Sequence, residues 1–417
     1  MKKTIICGFV MLSLACKVSA QVKILFDATK AETAGNADWV IDADTHDIGY
    51  SGGPAKAGGG NESDPQRFPT PLQSTVTSTT AETYWEGSLS AWGIDCVKYG
   101  YEVETLPIFD SITYGNKSHA QDLTNYKVFI IDEPNIKFTT KEKQALMNFV
   151  QNGGGLFMIS DHCVSDRNND GWDSPMIWRD FLKNNPVKYD PFGIIFDSAN
   201  FSQTTTNIAN SPTDSILHGP YGNPTEMMWS NGTSMTLNHS DNATAFGDVY
   251  MTSASNTGTT SVMFAHAYYG KGKVCAEGDS SPPDDGTGDP NDALYNGWTK
   301  DAAGNHELLI MNATIWLATD GAPTAVNSLS VTPQKFELYP NPAYETCKVK
   351  YVLDQSGEVS IDLFDVTGKL VKQVYSGQTE NGLRVLTFDC SDMPQGVYFC
   401  RLQSDHLTET QKLIITK

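Results

Sequence analysis

The sequence has few basic residues for its length. Of its 417 residues, 29 are Lys or Arg and 49 are Asp or Glu, so the formal net charge is −20 at pH 7. A surface this acidic repels phosphate backbones and anionic lipid head groups, which argues against nucleic-acid binding and favours cations as small partners. With 39% hydrophobic residues the composition is nevertheless that of a globular protein.

The sequence also lacks a long apolar run after its first 20 residues, so we expect no membrane span and a soluble mature protein. The basic start, the short apolar stretch over 4–16 and the small residues at 18–20 are typical of a signal peptide. We therefore expect the mature chain to begin at Gln21. Cys16 raises the alternative of a lipid anchor, which ranks second because Leu14 lies one position too close to it for a lipobox.

Cysteine is sparse, and no CxxC pair occurs among the 8 cysteines, which argues against a zinc ribbon. An even number in an exported chain permits disulfides. Cys96 and Cys275 lie in apolar runs, where burial of a single thiol is the simplest interpretation. Cys347, Cys390 and Cys400 share the C-terminal segment, where one pair could form a disulfide; the pairing is open.

Residues 21–320 alternate between continuous apolar runs and helical segments. Strands are predicted at 22–26, 103–106, 128–131 and 156–159, a strand pair within 261–277, and helices at 81–99, after Thr139 or Thr140, and at 308–317. Such alternation predicts βαβ units and a parallel sheet covered on both faces. The segment Gly153 to Ile159 and the layout after it resemble the class I glutamine amidotransferase-like, flavodoxin-like fold, which implies a three-layer α/β body.

The last 80 or so residues differ, because seven short alternating runs are separated by turn residues. This spacing predicts a small all-β, immunoglobulin-like sandwich. Four motifs within it resemble the type A C-terminal sorting domain of proteins exported by the type IX secretion system of Bacteroidetes: Tyr339 to Pro342, Leu363 to Lys369, Met393 to Tyr398 and Lys412 to Lys417. The resemblance implies recognition by the type IX machinery and a cell-surface or secreted cargo. A generic adhesive sandwich is the alternative.

The predicted organisation therefore has four parts. They are a signal peptide at 1–20, an α/β glutamine amidotransferase-like domain at 21–320, a linker at 321–337 and the sorting domain at 338–417.

Acidic residues follow the predicted strands of the body. The strand ends carry Asp27, Asp132 with Glu133, Asp161 with His162, and Asp279 with Ser280. The carboxyl ends of parallel strands meet at one edge of a sheet, where ligands bind, so these groups should converge. Several carboxylates in one crevice favour either a divalent cation or raised carboxyl pKa values. The alternative is that they cap the helices that follow.

The segment 166–173 has the spacing of a calcium-binding loop. Its oxygen ligands and its turn glycine are Asp166, Asn168, Asp170, Asp173 and Gly171. The twelfth position is Ile177 rather than the bidentate Glu of an EF-hand, so further ligands would come from elsewhere. The candidates are Asp27, Asp161, Asp284 and Asp285. We expect a divalent cation, calcium foremost; the alternative is an ordinary turn. A second acidic cluster, 42–47, is either chelating or simply solvated.

No GxSxG elbow, HExxH helix or P-loop occurs. The amidotransferase resemblance implies a nucleophilic Cys within GxCxG, but the turn at 160–163 lacks those glycines, which argues against glutaminase activity. Neighbouring carboxylates should raise the pKa of the Cys163 thiol and weaken it as a nucleophile. His162 is the strongest candidate for a general base or metal ligand, with a structural histidine as the alternative. His306 is a distant second.

Two functions of different classes follow. The first is a secreted, metal- or calcium-dependent hydrolase of extracellular substrates with Asp161, His162, Asp279 and Ser280 as catalytic residues. Gly278-Asp279-Ser280 resembles the nucleophile block of SGNH esterases, although those enzymes carry it near the domain start. The second is a calcium-stabilised binding module without catalysis. The body also resembles an uncharacterised family of secreted bacterial proteins in its blocks at 161–162, 166–175 and 278–288, and this resemblance implies no activity.

Overall fold

The computed structural model describes residues 21–34, 37–41, 71–108, 110–287, 295–298, 305–319, 336–339, 341–353, 356–379, 382–404 and 408–416. The chain divides into two compact units, Met1–Ala325 and Val326–Lys417, which we call the body and the tail. The predicted signal peptide, the acidic cluster at 42–47 and nearly all of the predicted linker lie outside the described residues.

The body contains thirteen strands in its described part. They are β1 (Lys23–Asp27), β2 (Thr33–Ala34), β3 (Ala37–Asp38), β4 (Glu102–Leu106), β5 (Val128–Asp132), β6 (Gly155–Ile159), β7 (Ile194–Phe196), β8 (Phe201–Thr205), β9 (Met227–Gly232), β10 (Met235–Leu237), β11 (Phe246–Tyr250), β12 (Val262–Tyr269) and β13 (Gly272–Glu277). The α-helices are α1 (Ser90–Tyr99), α2 (Thr140–Gln151), α3 (Ser174–Asn184) and α4 (His306–Ala318), with short 3-10 helices at Gln73–Thr75, Glu82–Tyr84 and Leu123–Asn125.

The main sheet has the strand order β4-β1-β5-β6-β13-β12-β10-β7, and β11 also pairs with β12. The strands from β4 to β13 in this order are parallel, as predicted. From β12 onward the pairs are antiparallel, so the sheet is mixed rather than wholly parallel. The predicted strand pair within 261–277 is confirmed as β12 and β13. β7, β10 and β11 were not predicted, and β7 and β10 have only three residues each, which give no long apolar run.

The predicted elements have clear physical causes. β5 and β6 are continuous apolar runs because every residue in them is buried. Thr139 caps α2, and Glu142 completes a reciprocal capping box. β6 starts at Gly155, where an added Cβ would lie 2.7 Å from the Cβ of Leu317 on α4. Close packing of helix on sheet therefore requires glycine at this point.

The predicted helix at 81–99 is wrong in its first half. A 3-10 helix at Glu82–Tyr84 is followed by an irregular stretch, and α1 begins only at Ser90. Gly87 has φ +126°, which interrupts helical geometry. The apolar residues whose spacing suggested one long helix, including Trp85 and Leu89, are buried all the same. None of the helices in the described part of the chain is long and apolar enough to cross a membrane.

The tail has seven strands in its described part, and each overlaps one predicted run. They are β14 (Phe336–Tyr339), β15 (Thr346–Leu353), β16 (Gly357–Asp365), β17 (Leu370–Thr379), β18 (Gly382–Asp389), β19 (Gly396–Ser404) and β20 (Thr408–Ile415). They form two antiparallel sheets, β14-β15-β18 and β17-β16-β19-β20, around one hydrophobic core. Cys347, Cys390 and Cys400 are buried, as are Cys96 and Cys275 of the body.

Candidate functional site

A cavity of about 380 Å³ lies beyond the carboxyl ends of the parallel strands of the body. Its lining combines charged, hydroxyl, amide and aromatic side chains. These are Ala34, Trp39, Asp161, His162, Arg167, Ser230, Asn231, Ser280, Ser281 and Tyr295. Of the four predicted catalytic residues, the structure therefore places Asp161, His162 and Ser280 at one cavity.

Arg167 joins two of the strand ends. Its Nε lies 2.9 Å from Oε1 of Glu133, and its terminal Nη2 lies 2.7 Å from Oδ2 of Asp161. The other oxygen of Glu133 accepts hydrogen bonds from Nε1 of Trp39 at 3.0 Å and from Oγ of Ser280 at 2.7 Å. Glu133 is fully buried and has φ +42°, a conformation rare outside glycine. Its three side-chain partners hold the carboxylate within narrow limits, and the surrounding structure maintains the strained backbone.

His162 lies next to Asp161 at the end of β6. Its Nδ1 lies 2.6 Å from the carbonyl oxygen of Cys163, so Nδ1 carries a proton and donates it. Nδ2 of Asn200 lies 3.1 Å from the same nitrogen, but a protonated Nδ1 cannot accept a hydrogen bond from that amide. Nε2 lies 3.4 Å from Oδ2 of Asp161. Because Nδ1 holds a proton, Nε2 is the nitrogen that can exchange one with a group in the cavity.

Burial holds the pKa of Asp161 well above its ordinary value, and the charges of Glu133 and Asp279 raise it further. Arg167 opposes this shift. An acid with these neighbours can hold a proton near neutral pH, which is the condition for general acid or base work. Oδ2 of Asp161 accepts a hydrogen bond from Arg167 and lies 3.4 Å from Nε2 of His162, close enough for electrostatic interaction with the imidazole.

Asp279 supports the cavity from behind rather than lining it. Its Oδ2 accepts the backbone N–H of Ser230 at 2.5 Å, and its Oδ1 accepts that of Ser281 at 2.9 Å. Burial raises the pKa of Asp279 to about 7. The carboxyl group therefore positions two serines that line the cavity. His306 is also structural, since its Nε2 accepts the backbone N–H of Met228 at 3.0 Å.

Two further buried acids stand at the same edge. Asp132 and Glu277 both pair in register with Ile159 of β6, one from each side, so their side chains emerge on one face of the sheet. Within the described part of the chain, none of their four carboxyl oxygens has a hydrogen-bond partner. Burial raises the pKa of both groups well above the ordinary range. Neutral, protonated acids are the physical consequence in the absence of a cation.

The predicted calcium loop forms a series of tight turns. Asp166 accepts backbone N–H groups of Asp170 and Gly171 at 3.0 and 2.8 Å, and Asn168 accepts that of Asp170 at 3.1 Å. Asp173 caps α3 through Met176 at 2.9 Å. Each proposed ligand thus has the capping or turn role given above as the alternative. The chemistry of the donor set still suits a hard cation, and calcium binding stays a prediction.

Among the described residues, three further metal-ligand candidates, Asp27, Asp284 and Asp285, form hydrogen bonds away from this loop. Asp27 accepts the N–H of Thr29 at 3.0 Å. Asp284 accepts the N–H groups of Gly286 and Tyr295, both at 2.8 Å. Asp285 reaches the first turn of α1, where it accepts the N–H of Ala91 at 2.7 Å. Burial raises the pKa of all three carboxyl groups, that of Asp285 to about 7.

Calcium should raise the melting temperature of the mature protein by several degrees if loop 166–173 binds it, because a ligand that binds only the folded state stabilises it. The measurement is differential scanning calorimetry in excess calcium and in excess chelator. Asp166→Asn with Asp170→Asn should remove the difference, and Asp241→Asn with Asp392→Asn is the matched control. Identical melting curves for the wild-type protein in the two buffers would overturn calcium binding.

Sequence reasoning missed three parts of this site. Glu133 stood at a strand end but was not selected, Arg167 lay unremarked inside the calcium-loop pattern, and Trp39 follows the small β2–β3 hairpin. A signal existed for Arg167 alone: an isolated basic residue between acidic strand ends is the expected neutraliser of converging carboxylates. Nothing in the local sequence indicates that Trp39 reaches Glu133.

Comparison with known proteins identifies the tail. Residues 337–416 match the family model described as the secretion system C-terminal sorting domain. The protein is thus a cargo of the type IX secretion system, exported to the cell surface or the extracellular space, and its tail interacts with that machinery. The expected localisation is confirmed. A search of curated proteins found no match.

Solved structures give only distant similarities. The chain is similar to the mmIFT52 N-terminal domain, with 13% identity and a TM-score of 0.38 over 57% of this chain and 92% of that one. A ThuA-like protein from Parabacteroides merdae gives 12% identity and 0.29 over 74% and 94%. Dimeric latent PorU from Porphyromonas gingivalis gives 19% and 0.17 over 19% and 9%.

Proposed function

We propose that the body is a secreted hydrolase of extracellular polymers, with its chemistry in the sheet-edge cavity. The observation that carries the proposal is that Asp161, His162, Arg167 and Ser280 line one cavity of about 380 Å³. Hydrolysis requires proton transfer, charge stabilisation and substrate orientation. Two acid–base groups, a fixed cation and a hydroxyl group can perform these three roles in turn.

The proton transfer is assigned to His162. With Nδ1–H bound to the carbonyl of Cys163, Nε2 accepts a proton from the attacking water and later returns it to the leaving group as the scissile bond breaks. Asp161, 3.4 Å from Nε2, stabilises the imidazolium formed in between. Arg167 offers positive charge to the developing oxyanion. The Ser280 hydroxyl donates a hydrogen bond to Oε2 of Glu133, which orients its oxygen to contact the substrate or, in place of water, to attack it while the serine proton passes to Glu133.

The lining also favours a substrate class. The net charge of −20 disfavours anionic substrates. Trp39 and Tyr295 offer aromatic surface, while Ser230 and Asn231 offer hydrogen-bonding groups. Aromatic faces with a few fixed polar groups suit a polyhydroxylated, uncharged chain. Neutral glycans are therefore the first class to test, followed by esters.

Two finer structural assignments belong to this proposal. The five adjacent parallel strands and the four helices support a flavodoxin-like, glutamine amidotransferase-like body. The two antiparallel sheets of the tail, which share one core, support an immunoglobulin-like sandwich. Calcium in loop 166–173 would act structurally, since that loop carries Arg167 and so determines where its guanidinium lies.

A binding module is the second candidate. It is favoured by the way Arg167 already neutralises Glu133 and Asp161, since two satisfied carboxylates can serve recognition without chemistry. The two candidates separate on turnover by the mature wild-type protein against neutral polysaccharides, aryl glycosides and aryl esters, with calcium present. Product formation supports the hydrolase. Binding of a polysaccharide with no product from any substrate rejects the hydrolase and leaves the binding module.

A further inference from the structure

A second group of metal-ligating side chains lies in the antiparallel half of the body, among residues that do not line the cavity. It consists of Asp214, Asp248 and His266, each of which offers one ligand atom, and these atoms all lie within 4.8 Å of one another. Asp248 is on β11 and fully buried, His266 is on β12 and 9% exposed, and Asp214 is in the segment between β8 and β9. Burial separates this group from the exposed acidic clusters common on acidic proteins.

The imidazole of His266 is oriented by Asp248. Nδ1 lies 2.9 Å from Oδ2 and 3.2 Å from Oδ1 of that carboxylate, so Nδ1–H donates, and in the neutral imidazole the lone pair lies on Nε2. Asp248 is placed for this contact by a register shift between Gly247 and Val249 in the β11–β12 pair. A carboxylate on the far nitrogen is the usual support for a metal-bound histidine.

The other ring nitrogen is free to bind. Within the described part of the chain Nε2 makes no hydrogen bond, and Oδ2 of Asp214 lies 4.0 Å from it, too far for one. The other oxygen of Asp214 accepts the backbone N–H of Ile216 at 2.8 Å, which fixes the carboxylate. Two ligand atoms that each lie about 2.1 Å from a tetrahedral ion are about 3.4 Å apart. A small decrease in the 4.0 Å distance between Nε2 of His266 and Oδ2 of Asp214 would therefore let both atoms bind one ion.

Aromatic side chains and one lysine surround the group of Asp214, Asp248 and His266. Trp316 of α4 contacts the imidazole edge-on with ring centroids 4.9 Å apart, and Phe246 lies 5.4 Å from it. Lys273 of β13 also faces the group, and its Nζ donates to the Trp316 carbonyl at 2.9 Å and the Thr319 hydroxyl at 2.7 Å. Aromatic walls around a ligand set restrict water and strengthen charge–charge attraction.

We propose that Asp214, Asp248 and His266 form a site for one divalent transition-metal ion of the zinc class. His266 supplies Nε2, Asp214 supplies a carboxylate oxygen, and Asp248 orients the imidazole or adds a third oxygen. Imidazole with carboxylate selects zinc, copper or nickel over calcium and magnesium, because the latter prefer oxygen ligands alone. The remaining coordination positions fall to water.

The test uses cobalt(II), whose visible absorption reports tetrahedral nitrogen and oxygen ligands, on the mature full-length protein. Excess calcium and magnesium occupy oxygen-only sites, and a Cys163→Ser background removes the half-buried thiol. We expect one cobalt per chain, displaced by zinc. His266→Gln should abolish the band, and Asp248→Asn should weaken binding by about 10–100-fold. His239→Gln is the matched control, because His239 bonds only to the Ala245 carbonyl among described residues.

Asp214→Asn keeps the proposal testable if His266→Gln does not fold. The asparagine oxygen can still accept the N–H of Ile216, so the loop is preserved while the charged ligand is lost. Circular dichroism shows whether each variant folds, and cobalt affinity should fall at least about tenfold. No cobalt binding by the parent protein, or unchanged binding by folded Asp214→Asn, would overturn the site.

Discussion

Deletion of residues 337–417 should abolish export while leaving the body folded. The deleted segment covers the sorting-domain match at 337–416, and its core shares no residue with that of the body. Immunoblots of periplasm, cell surface and medium measure the outcome. The full-length protein should appear at the surface or in the medium, whereas the truncated protein should accumulate in the periplasm. Its tryptophan fluorescence spectrum should be unchanged, because all 8 tryptophans lie in the body.

A gain-of-function control strengthens this prediction. Residues 337–417, fused to a periplasmic reporter with its own signal peptide, should carry that reporter across the outer membrane. Secretion of the truncated body at wild-type levels would show that export does not depend on the tail. Failure of the fusion together with normal export of the native protein would show that the body also carries export information.

Arg167→Met should destabilise the body by about 3–5 kcal/mol, because it leaves Glu133 and Asp161 buried without their cation. The side chain of Arg167 is 23% exposed, while those of its partners are 0% and 4% exposed. Urea unfolding measures the change. Arg179→Met, a partly exposed arginine of α3, is the matched control and should stay within about 0.5 kcal/mol of wild type.

The pH dependence of this variant has a definite sign. Arg167 holds the pKa of Asp161 down, so its removal raises that pKa further above the unfolded value. The native variant then binds protons that the unfolded chain has released, and its stability falls as pH rises. The loss relative to wild type should be larger at pH 8 than at pH 5. Adding Glu133→Gln and Asp161→Asn should restore part of the stability; no restoration would contradict the charge-compensation account.

The parallel half of the fold was predictable because burial on both faces makes each strand a continuous apolar run, as in β5 and β6. In the antiparallel half only the pair β12–β13 was predictable, because a short turn joins its two apolar runs. The short strands β7 and β10 were not, because they depend on partners distant in sequence. α3 was missed although Asp173 caps it and Pro175 lies in its first turn. Asp173 was assigned as a calcium ligand in the pattern of 166–173 and so was not considered as a helix cap. Aspartate is common in both roles, and the local sequence does not separate them.

The candidate site was likewise predictable only in part. The rule that ligands bind at the carboxyl ends of parallel strands selected Asp161, His162 and Ser280, which line one cavity. The position of the Glu133 carboxylate depends on a backbone φ of +42°, which the hydrophobic periodicity of the sequence does not predict. Arg167 reaches two strand ends from a loop, and Trp39 follows a hairpin remote in sequence. Contacts between loops depend on the finished fold, so local sequence does not carry them.

The central claim is that the sheet-edge cavity performs hydrolysis. It is tested most directly by turnover of the mature wild-type protein and of an Asp161→Asn, His162→Gln double variant on one panel of neutral polysaccharides, aryl glycosides and aryl esters. The account predicts product from the wild-type protein, a loss of about 10²–10⁴-fold in the variant and a wild-type rate in the exposed control His218→Gln. No wild-type turnover on any substrate, or equal rates for wild type and folded double variant, would contradict it.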